Sequence, residues 1–422
     1  MIVIVGAGPA GLIAARIVHR ARHPFLLFDR EPTPGGRVRT DLTPDGFRLD
    51  RGFQVLFTRY PLVRCYVDLR ALQPRVFTPG AVIFDAEGRC YDIDDPLRMP
   101  SRLLHTLRAP VLSLTDKARI VREVADLRLR APEGLFTDRD TTTHAYLHTR
   151  GFSERAIVNF FRPFFSGIFL DRSLQTSANA FRFVFKMLAE GQTIVPALGM
   201  GEFARQLAAP LPPASLRLGT AVEELVRQDG RIVGVRAGGE EIAADAVILA
   251  TDSPAAAELT GLPLPRAGLG VTTLYFAGEQ PLTRERRLLL NAAPDAFVNE
   301  VVQISNVAPE YAPPGQHLLS VTVLGARPEP DAEVEARVRA ELARWFGERA
   351  LAQQRLLSLS RIAFGQFPQP AGFAETLPQV RSGVPGLYLG GEFTRASSIN
   401  GAMEAGEAAA RAALADLAAP GG

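Results

Sequence analysis

The chain opens on four apolar residues, Ile2 to Val5, which run without a polar interruption into Gly6, Gly8 and Gly11 and then into small and apolar positions through Ala15. A short unbroken apolar run reads as a strand buried on both faces, and the glycine spacing after it as a tight turn into a helix. A second run of this kind, Phe25 to Asp29, ends on an acid. Further on, residues 218–254 alternate apolar and polar positions around turns at Gln228-Asp229-Gly230 and Ala237-Gly238-Gly239, and close on an apolar strand that reaches Ala250 and Thr251. Near the other end, Leu387 to Leu389 predict a strand, Gly390 and Gly391 a turn, and the residues from about Ser398 a small-residue helix with Ser397 and Ser398 as candidate N-caps. Buried strands separated by helices predict an α/β fold with a parallel sheet.

Between these blocks the pattern changes. Residues 95–130 are punctuated by prolines and place Ile120, Val124 and Leu127 on one helical face, with Arg119, Arg122 and Arg128 elsewhere. Such a helix packs on its own core, which is the expectation, or lies on a membrane surface, which stays open. Residues 159–169, NFFRPFFSGIF, carry Phe160, Phe161, Phe164, Phe165 and Phe169, and Phe181, Phe183 and Phe185 follow. Rings at this density form core or line an apolar tunnel, and the two readings weigh about the same. Val334, Val338, Leu342 and Trp345 form a helical stripe of core type.

Composition narrows the function classes. With 422 residues, 47% hydrophobic and 22% charged, the chain is long enough for two or three domains. A net charge of +2 lacks the basic stripe of a nucleic-acid binder, so no nucleic acid is expected as a partner. No apolar run approaches the ~18 residues of a membrane span, and the first residues start a strand rather than a leader. A cytoplasmic protein is expected, with peripheral contact at the inner face of a membrane left open. Cys65 and Cys90 are too few for a disulfide framework and are expected as buried thiols in a reducing compartment. His144 and His148 stand four apart without an evident third ligand, and Asp92, Asp94 and Asp95 read as a turn rather than a calcium loop, so no metal is expected.

The glycines carry the first chemistry. Gly6 permits a tight turn, Gly8 lets the backbone approach a pyrophosphate, and Gly11 allows close packing of helix on strand, with Pro9 and Ala10 between them. The helix N-terminus that follows offers N–H donors to phosphates. Asp29 lies roughly 20 positions on, where an acid that accepts hydrogen bonds from a ribose is expected. Arg30 follows it, and then Gly35, Gly36, Arg37 and Val38. A second glycine pair with an arginine just past the ribose acid resembles the G-G-R segment of the flavin amine oxidase superfamily, which includes protoporphyrinogen oxidase and phytoene desaturase.

The resemblance implies non-covalently bound FAD and a set of contacts. The G-G-R segment would run along the pyrophosphate and flavin, and Gly52, Phe53, Gln54 and Val55 would join it. Val222 would hold the adenine edge through its backbone, with Ala250 and Thr251 beside the first strand. Gly391 and Glu392 would stand at the phosphate and ribityl chain, Glu392 in place of the more usual Asp. Ser398, Ile399 and Ala402 would aim the last helix at the flavin pyrimidine edge, where its positive end favours a reduced ring. It further implies a Rossmann-type FAD-binding domain assembled from residues 1–73, 191–261 and 362–422, and a mixed α+β substrate domain with a helical subdomain from residues 74–190 and 262–361.

Within the superfamily, the segments around Phe164 and Met200 look more like the carotenoid desaturase and isomerase branch than like amine oxidases. Amine oxidases generally carry a lysine near flavin N5, and a rough alignment puts Thr272 at that position; Ser398 stands where half of their aromatic cage would be. An oxidoreductase acting on an apolar, unsaturated, carotenoid or isoprenoid-like substrate is therefore expected, by hydride transfer from an allylic carbon to flavin N5. Oxygen or a quinone would take the electrons, unless the flavin only cycles in an isomerisation. No catalytic acid or base is nominated. The other readings are an amine or porphyrinogen oxidase of the same superfamily, and a flavin-binding scaffold without turnover.

Overall fold

The computed structural model describes residues 1–94, 98 and 111–419, so the proline-rich first half of the 95–130 run lies outside the described residues except for Arg98. The unbroken apolar runs form a five-stranded, all-parallel sheet in the order Leu216–Leu218, Phe25–Asp29, Ile2–Val5, Ala246–Leu249, Leu387–Leu389. Ile2–Val5 lies between two neighbours and is buried throughout, which is why no polar residue interrupts it. The first helix, Pro9–Arg20, and the last, Ile399–Ala418, pack on each other. Their small residues let the backbones touch: a Cβ on Gly406 would stand 1.9 Å from the Ala10 carbonyl oxygen. The alternating segment folds as an antiparallel meander, Val222–Gln228, Arg231–Ala237 and Glu240–Ala243, with its turns at left-handed Asp229-Gly230 and Gly238-Gly239.

A second, seven-stranded sheet has the order Arg355–Gln366, Leu269–Gly278, His317–Leu324, Val298–Val302, Leu288–Asn291, Gly80–Phe84, Cys90–Asp94. One face carries Leu274, Phe276, Val301 and Val321 against the predicted stripe Val334, Val338 and Leu342 of helix Asp331–Phe346, with Trp345 stacked on Phe84 at 4.2 Å. The other face, with Val271, Leu290, Glu300 and Thr322, borders a cavity. Arg355–Gln366 runs across the expected 361–362 boundary. A three-stranded ribbon of Leu56–Phe57, Thr193–Pro196 and Pro74–Val76 also joins residues from both sides of the expected division.

Four expectations change here. Thr272 points to the helix side of its strand, where its hydroxyl donates to the Gly325 carbonyl at 2.8 Å and accepts from the Arg327 N–H at 3.0 Å; the cavity-side neighbour is Val271. The one-residue difference matters because successive strand residues face opposite ways. Cys65 and Cys90 are exposed free thiols rather than buried ones. Asp92 and Asp94 belong to a strand and not a turn, and both bind the buried guanidinium of Arg287, at 3.0 and 2.7 Å. Glu154 supplies the third group that His144 and His148 lacked, its Oε2 lying 3.3 Å from His148 Nε2. All three ligating atoms fall within 4.8 Å of one another, on a largely exposed surface.

Candidate active site

A cavity of about 1990 Å³ runs between the two sheets. Ligand pockets for one small molecule are typically ~300–1,000 Å³, so this volume suits a cofactor and a substrate together. Every residue expected to contact the cofactor lines it except Gly11, Gly35 and Gly391, which stand just behind the wall.

At one end the wall is backbone. Gly6 has φ +104°, and a Cβ there would meet the Ala250 carbonyl oxygen at 2.8 Å, so only glycine lets the first turn close against the Ala250-Thr251 strand end. Gly8 caps the first helix without a side chain, and Pro9 occupies its first turn. The second glycine turn lies directly on the first: Gly35 N–H donates to the Ala7 carbonyl at 2.8 Å, and a Cβ on Gly36 would come 3.4 Å from Gly8 Cα. Asp29 ties the corner together, accepting from the N–H of Ala7 at 2.6 Å and of Glu31 at 2.8 Å.

The first and the last of the separated segments meet around one arginine. Arg37 Nη2 lies 2.8 Å from Glu392 Oε1, which also accepts from the Ser397 hydroxyl at 3.3 Å. Arg37 Nη1 donates to the Gly365 carbonyl at 2.7 Å, and Gln54 Nε2 donates to the Arg37 carbonyl at 2.9 Å. Gln54 Oε1 is buried with no partner among the described residues. Of the two candidate caps, Ser398 is the N-cap of the last helix, accepting from the Gly401 N–H at 2.9 Å, while the Ser397 N–H donates to Gln369 Oε1. A cradle of glycine turns, an uncapped helix start and an orphaned amide oxygen fit a bound flavin nucleotide.

The other end is built from side chains. Helix Arg162–Phe169, entered through a π-type turn over Ile157–Phe161, presents Phe164, Phe165 and Phe169 to the cavity, joined by Phe160 and Phe185. Phe161 and Phe181 lie behind them as fully buried core, with Phe181 4.6 Å from Phe165 centroid to centroid. Both readings of the aromatic run therefore hold, for different rings. Helix Leu114–Arg128, which begins in a capping box between Ser113 and Asp116, forms part of the rim with Leu114, Lys117, Val121 and Arg128.

Reasoning from sequence missed Glu300. It lies in the middle of Val298–Val302, on the cavity wall, and burial pushes its carboxyl up to about 7 against hydrogen bonds from Asn299 and Thr322 and the charge of Arg172, which pull it down. A lone acid in a strand of five otherwise apolar or amide positions was the only local sign of it.

A nucleotide cradle continuous with an apolar chamber defines a cofactor-dependent enzyme of the Rossmann-type class. The family model for flavin containing amine oxidoreductases matches residues 9–414, and the chain belongs to that family. It is therefore a flavin-containing oxidoreductase. Among its relatives is the hydroxyneurosporene desaturase of Rubrivivax gelatinosus, 27% identical over 311 residues, or 64% of this chain and 57% of that protein. The chain thus spans little more than half the length of that relative. The 15-cis-phytoene desaturase of Synechococcus elongatus is 21% identical over 98% of this chain and 96% of its own. In fold, the chain resembles an oxidoreductase from Methanosarcina mazei with a TM-score of 0.73 and 21% identity, covering 98% of this chain and 99% of that one. No helix among the described residues is long and apolar enough to cross a membrane.

Proposed function

We propose that the flavin is FAD, held without a covalent bond, and that the enzyme oxidises or isomerises an apolar, unsaturated, isoprenoid-like substrate. The observation that carries this reading is the phenylalanine-lined chamber, continuous with the glycine cradle and lined by neither histidine nor cysteine among the described residues. Those are the side chains expected of a covalent flavin link, which supports non-covalent binding. When bound, the flavin supplies a two-electron acceptor that takes hydride at N5 and passes the electrons to oxygen or a quinone.

The chain's own residues bind, orient and exclude water. Phe164, Phe165 and Phe169 give a long hydrocarbon a dry wall. Gly365 brings the substrate-side strand Arg355–Gln366 up to the Arg37–Glu392 pair, so the cofactor end and the chamber share one rigid junction. Val271, on the cavity side of its strand, offers no amine in place of the lysine of amine oxidases, and the two desaturase relatives point the same way. Exposed Leu114 and Val121 on the rim, beside Arg128, support a cytoplasmic enzyme whose mouth meets the inner face of a membrane.

The test is anaerobic flavin absorbance titrated with linear polyprenes and carotenoid precursors in detergent, with a porphyrinogen and with primary amines and polyamines. Bleaching by the isoprenoids alone is expected. Bleaching by amines or by the porphyrinogen, with none by isoprenoids, would overturn the substrate class.

A further inference from the structure

Glu300 is out of keeping with its surroundings. The chamber wall next to it is Leu288, Leu290, Phe165 and Phe169, and all five residues of its strand are buried. Its cross-strand neighbours are Thr322 on one side and Leu290 on the other. Helix Arg162–Phe169 passes over it at a glycine, and a Cβ on Gly167 would stand 2.7 Å from Glu300 Oε2, so a larger residue there would displace the carboxyl.

The acid is also not half of an ion pair among the described residues. Asn299 Nδ2 donates to its Oε2. Arg172, the one cation acting on it, spends Nη1 on the Ala296 carbonyl at 2.8 Å and Nη2 on the Asn291 and Ala293 carbonyls at 3.0 and 3.1 Å. Arg172 in turn feels Glu341, Asp295 and Arg162. Apart from Arg162 at its start, the helix over Glu300 brings no titratable group, and the strands beside it bring only His317, at a far end. On the same stretch of helix, Gln366 Nε2 donates to the Ile168 carbonyl at 2.6 Å and leaves its Oε1 buried without a partner.

Resting on the isoprenoid reading above, we propose that Glu300 is the polar anchor of the substrate chamber: it hydrogen-bonds a hydroxyl or carbonyl oxygen carried by an otherwise apolar chain, and so sets the chain's register against the cofactor end. A pure hydrocarbon pressed on this carboxyl would strip its water and return no hydrogen bond. An oxygenated chain returns one. Sites built around a buried polar group reject ligands that leave it unpaired.

The group's titration near neutrality gives the anchor a signature. The protonated carboxyl donates to either oxygen function, whereas the carboxylate accepts only from a hydroxyl. Binding to the holoprotein is read from the perturbation of the flavin spectrum, with a linear polyprene, the alcohol of the same chain and its aldehyde. At about pH 6 the alcohol and aldehyde should bind about ten-fold tighter than the hydrocarbon, and by about pH 8 the aldehyde alone should lose that advantage. E300Q should keep the flavin and remove the pH dependence, and E300L should bring all three ligands to similar affinity. Equal binding of the three to the wild type, or a preference that survives in E300L, overturns the anchor and leaves the isoprenoid reading standing. Failure of all three to bind the wild type strikes down that reading itself.

Discussion

The two ends of the cavity are made of different materials. The cofactor end is backbone brought to contact distance: glycine turns stacked on each other, a helix start, and Arg37 reaching from one segment to Glu392 in another. The substrate end is side chain: a bank of phenylalanines over a sheet face with Glu300 in its middle. A wall of backbone has no slack, because an added methyl group meets a carbonyl that belongs to the sheet. A wall of rings can repack, so it can change its ligand while the fold persists.

The contrast can be broken by substitution. The largest effect is expected for G11A, whose Cβ would lie 1.8 Å from the Gly6 carbonyl oxygen; a loss of more than ~4 kcal/mol and no flavin in the purified protein should follow. On the ring side, F181A empties a fully buried site among Phe161, Phe165 and Phe185. It should lower stability by ~3–5 kcal/mol in urea unfolding while the folded fraction keeps its flavin.

A third effect depends on pH. The Glu300 carboxyl is raised from 4.5 to about 7, so the folded state holds a proton there that the unfolded chain has lost. Stability from this group is full below pH 4.5 and falls as pH rises to about 7, by roughly 3 kcal/mol in all. The difference in unfolding free energy between wild type and E300Q should carry that slope and flatten above it. R37A should follow, at about 2 kcal/mol, because it leaves buried Glu392 without its guanidinium; weaker flavin retention on dilution is the readout. The smallest is T272V, about 1 kcal/mol from the lost bond to Gly325, with flavin reduction unchanged because the side chain faces away from the cavity.

The glycine motifs showed the parallel sheet and its turns in advance, because a backbone that must approach another backbone leaves a local mark in residue type. Where meaning depends on which way a strand faces, the mark is weak. Thr272 and Val271 differ by one position, and only the pairing with His317–Leu324 decides which looks into the chamber. Glu300 was hidden for a related reason. What makes it unusual is Gly167, more than a hundred residues earlier, and Thr322 on the next strand. Glu154 escaped notice because it approaches His148 from beyond the end of that residue's helix.

The packing of the last helix on the first also sets an order of events during synthesis. While the ribosome is still making the middle of the chain, strand Ala246–Leu249 has an open edge, the Ala10 face of the first helix is bare, and Arg37 has no Glu392. Domains generally begin to fold from the N-terminus as they emerge, but this cradle is finished only when strand Leu387–Leu389 and helix Ile399–Ala418 have been made. A nascent chain can hold a flavin nucleotide loosely at most, so a message truncated before Leu387 would yield an unloaded protein with an exposed sheet edge, a substrate for quality control rather than a slower enzyme.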